Sequence, residues 1–138
     1  MAMPAPGAKR VILVADDDDS ILRVVSMMLS TKGIRVITAD DGEQALERAT
    51  KQLPDAILLD IRMPKLNGFE VFEKLRANPL TAHIPVAFFT ADKDFTDFRK
   101  AQEMGSLIYI SKPFKPNTLI DSVTMLLASN KRRRTTDI

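Results

Sequence analysis

The run Ala56-Ile57-Leu58-Leu59 constrains this chain more than any other stretch. Four consecutive apolar residues, bounded by Pro54-Asp55 before and Asp60 after, suit a strand covered on both faces. Covering both faces takes helices above and below a sheet, which is the parallel α/β arrangement. Asp60 then stands where the strand emerges, at the C-terminal edge, where α/β sheets place their sites. On position alone, a turn or helix-capping aspartate is an equally open reading.

The rest of the chain supplies matching units. Val11 to Ala15 is an apolar run that ends in Asp16-Asp17-Asp18-Asp19-Ser20. Ile21, Val24, Val25, Met28 and Leu29 then fall on one helical face, with Gly33 as the stop. Ile34 to Ala39 reads as the second strand, and Asp40-Asp41-Gly42 leads into a helix carrying Ala45, Leu46 and Ala49, closed by Pro54. After Asp60, Pro64 marks a loop and Asn67-Gly68 opens a helix with Phe69, Phe72 and Leu75. Pro85 to Phe89 is the fourth strand, ending at Thr90-Ala91-Asp92, and a polar-rich helix follows with Phe95, Phe98 and Met104. Leu107 to Ile110 is the fifth strand, ending at Ser111-Lys112-Pro113. Pro116 suits the first turn of a last helix striped by Leu119, Ile120, Val123, Leu126 and Leu127.

Five strands alternating with five helices predict a doubly wound parallel sheet, because each crossover is long and right-handed. The order 2-1-3-4-5 is the common choice for this count. It sets the first and third strands side by side. Asp16, Asp17 and Asp60 then meet at one edge, joined by Thr90 and Lys112 from the fourth and fifth strands.

Composition narrows the classes. With 138 residues, 45% hydrophobic and 28% charged, the chain suits one globular domain. It has no cysteine, so disulfides and thiolate metal sites are excluded. No apolar run approaches the roughly 20 residues that span a bilayer, and MAMPAPGAKR lacks the apolar core of a signal peptide. These features fit a cytoplasmic protein. The expected organisation is a flexible arm over residues 1–8, one domain over 9–129 and a basic tail over 130–138. The net charge is +2, with Lys131-Arg132-Arg133-Arg134 supplying much of the basic excess. Such a run is most often a solvated end or a linker start. Neither direct nucleic-acid binding nor membrane binding is expected of this domain.

Three carboxylates in one pocket repel one another unless a cation joins them. Oxygen donors without His or Cys point to a hard ion, and Mg²⁺ fits best because it accepts a few carboxylates, waters and a phosphate oxygen. A carboxylate beside Mg²⁺ is able to attack phosphorus and form an acyl phosphate. Lys112 supplies an ammonium, Thr90 a hydroxyl and Ala91 a backbone N–H for the charge that spreads over the phosphoryl oxygens. Taken singly, Thr90 reads as a strand-end cap and Lys112 as a surface charge. The only histidine, His83, falls in a loop and reads as a surface residue.

From about Lys9 to Ser129 the chain resembles the receiver domains of two-component response regulators. The matching pieces are VILVADD, PDAILLDIRMP with NG, PVAFFTA and YISKPF. The resemblance implies Asp60 as phosphoacceptor, taking a phosphoryl group from a sensor histidine kinase or a phosphotransfer protein. It implies that Asp17, Asp60 and the Arg62 carbonyl hold Mg²⁺ directly, with Asp16 acting largely through water. It makes the domain a catalyst only of its own phosphorylation and dephosphorylation, with no separate enzyme activity. It also implies a cis Lys112-Pro113 bond, and an aromatic switch at Tyr109 that turns inward when the Thr90 hydroxyl moves to the phosphate. The apolar face starting at Ile21 matches the family only with Asp16-Asp17 as the functional pair, so the resemblance leaves Asp18 and Asp19 as caps.

Asn67 stands where Asp before Gly is frequent in the family, and both suit the turn. Around Gly105-Ser106-Leu107-Ile108 the acidic pair common in winged-helix transcription regulators is absent. Their Glu-Leu and Arg pattern is missing from the last helix as well. A stand-alone receiver and a piece of a larger regulator or hybrid kinase both remain open, and so does the downstream partner. Arg62 lies two residues past Asp60 and Asp92 two past Thr90, so the two side chains are expected to meet over the acyl phosphate and slow its hydrolysis. A haloacid-dehalogenase-type phosphatase is the alternative, but it needs an acid where Arg62 stands. A flavin module of similar topology needs a phosphate loop where the aspartates are.

Overall fold

The computed structural model describes residues 9–91, 95–106 and 108–130. Asp92 and Leu107, and the expected arm and most of the expected tail, lie outside the described residues. The elements run β1 (Val11–Ala15), α1 (Asp19–Ser30), β2 (Arg35–Ala39), α2 (Gly42–Gln52), β3 (Ala56–Asp60) and α3 (Gly68–Ala77). They continue as β4 (Val86–Thr90), α4 (Thr96–Glu103), β5 (Tyr109–Ser111) and α5 (Pro116–Ala128). All strand pairs are parallel, in the order β2-β1-β3-β4-β5.

Alternation along the strands splits the core in two. Leu13, Ile57, Leu59 and Phe88 join α2, α3 and Ala101 of α4 on one face. Ile12, Val14, Leu58, Phe89 and Ile110 meet α1 and α5 on the other. All five residues of β3 are buried, as expected of a central strand with helices on both sides. The first register residues of β3 and β1 are Ala56 opposite Ile12, so both strands emerge together at the site edge.

Three details depart from expectation. On α1, Leu22 is buried and Val24 is 42% exposed, because the buried stripe is Leu22, Val25 and Leu29. On α4 the buried residues are Asp97 and Ala101, while Phe95 is 71% exposed and precedes the helix with φ 65°. The strand β5 starts at Tyr109 and includes Ser111, so it is later and shorter than the apolar run suggests. The folded unit extends to Asn130, which is buried and donates from Nδ2 to the Asp55 carbonyl at 2.7 Å.

Candidate functional site: the acidic edge of the sheet

Each site residue is delivered by the end of an element. Asp16 and Asp17 follow β1, where Asp18 caps α1 by accepting from the Ser20 N–H at 2.9 Å. That cap requires the chain to leave the strand at Asp16, whose Oδ1 accepts from the Asp18 N–H at 2.9 Å. Asp60 is the last residue of β3. The following loop is folded back tightly: Gly68 donates to the Ile61 carbonyl at 2.9 Å. A Cβ at Gly68 would lie 2.5 Å from the Asp60 carbonyl oxygen, so only glycine allows the start of α3 to pass there. Asn67 caps that helix in a reciprocal box with Glu70. Its substitution for Asp therefore keeps the turn.

Carboxylate oxygens of Asp16, Asp17 and Asp60 lie within 4.8 Å of one another. Asp16 is fully buried, Asp60 is 4% exposed and Asp17 faces solvent. Lys112 Nζ reaches into the cluster, 2.5 Å from Asp16 Oδ2 and 3.4 Å from Asp60 Oδ1. Its ammonium also lies 4.8 Å from the centre of the Phe89 ring. Lys112-Pro113 is cis. The Lys112 N–H donates to the Thr90 carbonyl at 2.8 Å, which locks the end of β5 to the end of β4. Thr90 is buried and Ala91 exposed, and both line an open cleft of about 460 Å³ with the three aspartates, Arg62 and Lys112.

Burial, together with the negative charge of Asp16, pushes the Asp60 carboxyl up to about 6; Lys112 opposes this and Asp17 adds a little. One ammonium cannot neutralise three carboxylates. The three oxygen donors, two of them on buried residues, fit a hard divalent cation that keeps some of its waters on the exposed Asp17 side.

Tyr109 is half-buried on β5, its ring edge-on to Phe98 of α4 at 5.2 Å between centroids. Arg62 lines the cleft, and its observed partner is Asp97: Nη2 donates to Asp97 Oδ2 at 2.7 Å. Asp97 was not singled out from sequence. It is one of two acids in a polar helix, and only its 6% exposure and its distant arginine mark it. The expected contact between Arg62 and Asp92 falls on a residue outside those described.

A doubly wound five-stranded sheet with an acidic cluster and a lysine at one edge defines a signalling receiver domain. Residues 12–124 match the response regulator receiver domain family, and the chain belongs to it. It is 40% identical over 116 residues to the alkaline phosphatase synthesis transcriptional regulatory protein PhoP of Bacillus subtilis, covering 84% of this chain and 48% of PhoP. The chain spans about half the length of the curated relatives it matches. Among solved structures, the receiver domain of the sensor histidine kinase PA1611 from Pseudomonas aeruginosa PAO1 has a TM-score of 0.81 and 31% identity, covering 88% of this chain and 99% of that one. That structure is described with a magnesium ion coordinated in its active site cleft. The chemotaxis protein CheY4 of Vibrio cholerae has a TM-score of 0.80 and 31% identity, covering 86% of this chain and 99% of that one. The phosphatase alternative has no support in these likenesses, and Arg62 occupies the position where it needs an acid.

Proposed function

We propose that Asp60 accepts a phosphoryl group from a phosphohistidine on a sensor kinase or phosphotransfer protein. The observation that supports this most is the meeting of Asp60 with Asp16 and Asp17 within 4.8 Å, under an ammonium 3.4 Å from Asp60. An Asp60 oxygen attacks phosphorus, the P–N bond breaks, and the imidazole nitrogen leaves with the electron pair and takes a proton. The product is an acyl phosphate on Asp60. Asp17, Asp60 and the Arg62 carbonyl would hold Mg²⁺, with Asp16 acting through water, and the bound ion would neutralise the phosphoryl oxygens. Lys112 stabilises a further oxygen, and the Thr90 hydroxyl and the Ala91 N–H take the rest. The reaction is one turnover on the protein itself, so the domain is a switch and not an enzyme with a separate substrate.

The output partner and any direct role at nucleic acid belong to whatever the domain is joined to or meets. MtrA of Mycolicibacterium smegmatis, 36% identical to this chain, is a DNA-binding response regulator. The receiver of this chain is proposed to act through protein contacts, without itself touching nucleic acid or membrane. Among the described residues, no helix is long and apolar enough to cross a membrane. We place the domain in the cytoplasm, where its phosphodonors would be.

The test is acetyl phosphate with Mg²⁺, read by intact-mass spectrometry. One added phosphate is expected, absent in Asp60→Asn and after chelation; labelling that persists in Asp60→Asn rules Asp60 out. The same protein, followed after donor removal, tests the brake proposed for Arg62 and Asp92. Arg62→Ala and Asp92→Ala are each expected to shorten the phosphate lifetime, and unchanged decay in both removes that role.

A further inference from the structure

The contact between Arg62 and Asp97 joins two parts of the molecule that chain order keeps apart. Arg62 follows the acceptor strand and borders the cleft, with a side chain 68% exposed. Asp97 sits in the first turn of α4 with a side chain 6% exposed. The arginine thus lies over the carboxylate and shields it from water. Ile61, between Asp60 and Arg62, is fully buried, so it pins the segment while its two neighbours turn toward the cleft.

The helix on the other side of this contact buries few of its side chains. Its only fully buried residues are Asp97 and Ala101. Its N-cap, Phe95, holds a left-handed φ of 65°, which suits glycine or asparagine better, and it makes no side-chain cap. The ion pair at 2.7 Å ties the first turn to the sheet edge, beside the packing of Phe98 on Tyr109 and of Lys100 over Phe69 further along the helix.

We infer that Arg62 is an exchangeable catch: it holds α4 through Asp97 while Asp60 is free, and moves to the phosphoryl group once Asp60 is modified. This rests on the reading of Asp60 as phosphoacceptor and adds a second route out of the site, distinct from Thr90. A phosphoryl group brings close to two negative charges and several strong acceptor oxygens into the cleft that Arg62 already borders. A planar guanidinium binds such a group in a bidentate manner and gains more from it than from a single carboxylate oxygen. The contact between Arg62 and Asp97, which holds the first turn to the loop after β3, is then released. The first turn of α4 moves in consequence. Phe95, Arg99 and Lys100 lie on that helix and its cap, all exposed, so their presentation changes.

Hydrogen exchange over residues 96–103 in the full chain tests this, with and without acetyl phosphate and Mg²⁺. Without donor, Arg62→Ala and Asp97→Asn are each expected to raise exchange of the first-turn amides by about tenfold or more over wild type. With donor held in excess, wild type is expected to rise to the same level, while Arg62→Ala, compared at equal phosphate occupancy by intact mass, changes little further. Arg62→Lys keeps the charge and loses the fork. It is expected to restore protection without donor and to respond only partly with it. Amides of β3 serve as the fold control, because Arg62 is a surface side chain whose loss leaves the core untouched. Wild-type protection in both unmodified variants overturns the tether. A full wild-type response to phosphate in Arg62→Ala overturns the exchange. Absence of any added phosphate on the wild-type protein instead brings down the reading of Asp60, and mass spectrometry on the same samples separates the two failures.

Discussion

Asp60 is held in an environment that disfavours its charge. Burial and the nearby Asp16 raise it to about 6 from an ordinary 3.8. The strand keeps it there because Ile57, Leu58 and Leu59 are fully buried, each worth about 1.5–3 kcal/mol, against an ionisation penalty of about 1–3 kcal/mol. The sign follows from proton binding. Between about pH 4 and 6 the unfolded chain has released this proton while the folded one retains it, so this group's contribution to stability falls as pH rises through that window. Above about 6 the full penalty stands. Asp60→Asn is therefore expected to be more stable than wild type by about 1–3 kcal/mol at pH 7 in chelator. The gap should close as pH falls toward and below 4, where the folded carboxyl is neutral and the unfolded one takes up its proton as well, and Mg²⁺ should narrow it at pH 7. Urea titrations of both proteins across pH check this; a gap that does not vary with pH refutes it. At this scale the sequence was informative wherever a residue ends a strand. Asp16, Asp60, Thr90 and Lys112 each stand at such an end, and parallel pairing brings the ends together. Asp97 was illegible because its partner is 35 residues away and no periodic pattern marks it.

Among the elements, α4 is the one whose inward face the sequence leaves unmarked. It reads as a polar-rich helix, and its inward residues are Asp97 and Ala101. Of the larger apolar residues near it, Met104 packs against the core, Phe98 is half-buried and Phe95 stays in water. The error on α1 is smaller. Val24 and Leu22 both fit a helical face, and only the seat of α1 against α5 selects Leu22. The α4 face matters because Phe98 stacks edge-on with Tyr109, connecting the helix to β5. The switch proposed for Tyr109 has it turn inward when the Thr90 hydroxyl moves to the phosphate, a population shift between two packings. Tyr109 would then have to part from Phe98. Beryllofluoride with Mg²⁺ should therefore shift the NMR signals of Tyr109 and Phe98 together, and Thr90→Ala should reduce that shift while leaving Arg62 free to respond. Equal shifts at Tyr109 in both proteins would show that Thr90 is not the link.

Across the whole molecule, the sheet separates two ends with different duties. The C-terminal edge holds the charged cluster, and the N-terminal edge ties the chain together around Asp55. Asp55 Oδ2 accepts from the Val11 N–H at 2.8 Å, and its carbonyl accepts from Asn130 Nδ2 at 2.7 Å. The first strand, the third strand and the last helix are thereby joined at one point. The layered architecture was readable because long apolar runs and helical stripes are local patterns, and chain reversal rules fix the sheet from them. This joint was not, because Asn130 follows the last stripe and reads as tail. Its burial comes from the return of α5 across the sheet. Removing the amide leaves the part-buried Asp55 carbonyl without that donor, a loss of about 1 kcal/mol. The site lies at the opposite edge of the sheet, and energetic effects of separated sites add to within about 0.5 kcal/mol. Asn130→Ala is therefore expected to lower stability while leaving the rate of phosphate gain at Asp60 unchanged. Combined with Asp60→Asn, it should give the sum of the two single effects in urea titrations. A double mutant departing from that sum by more than about 1 kcal/mol would mean that the two edges are mechanically linked through β3, and that the lower joint also tunes the acceptor.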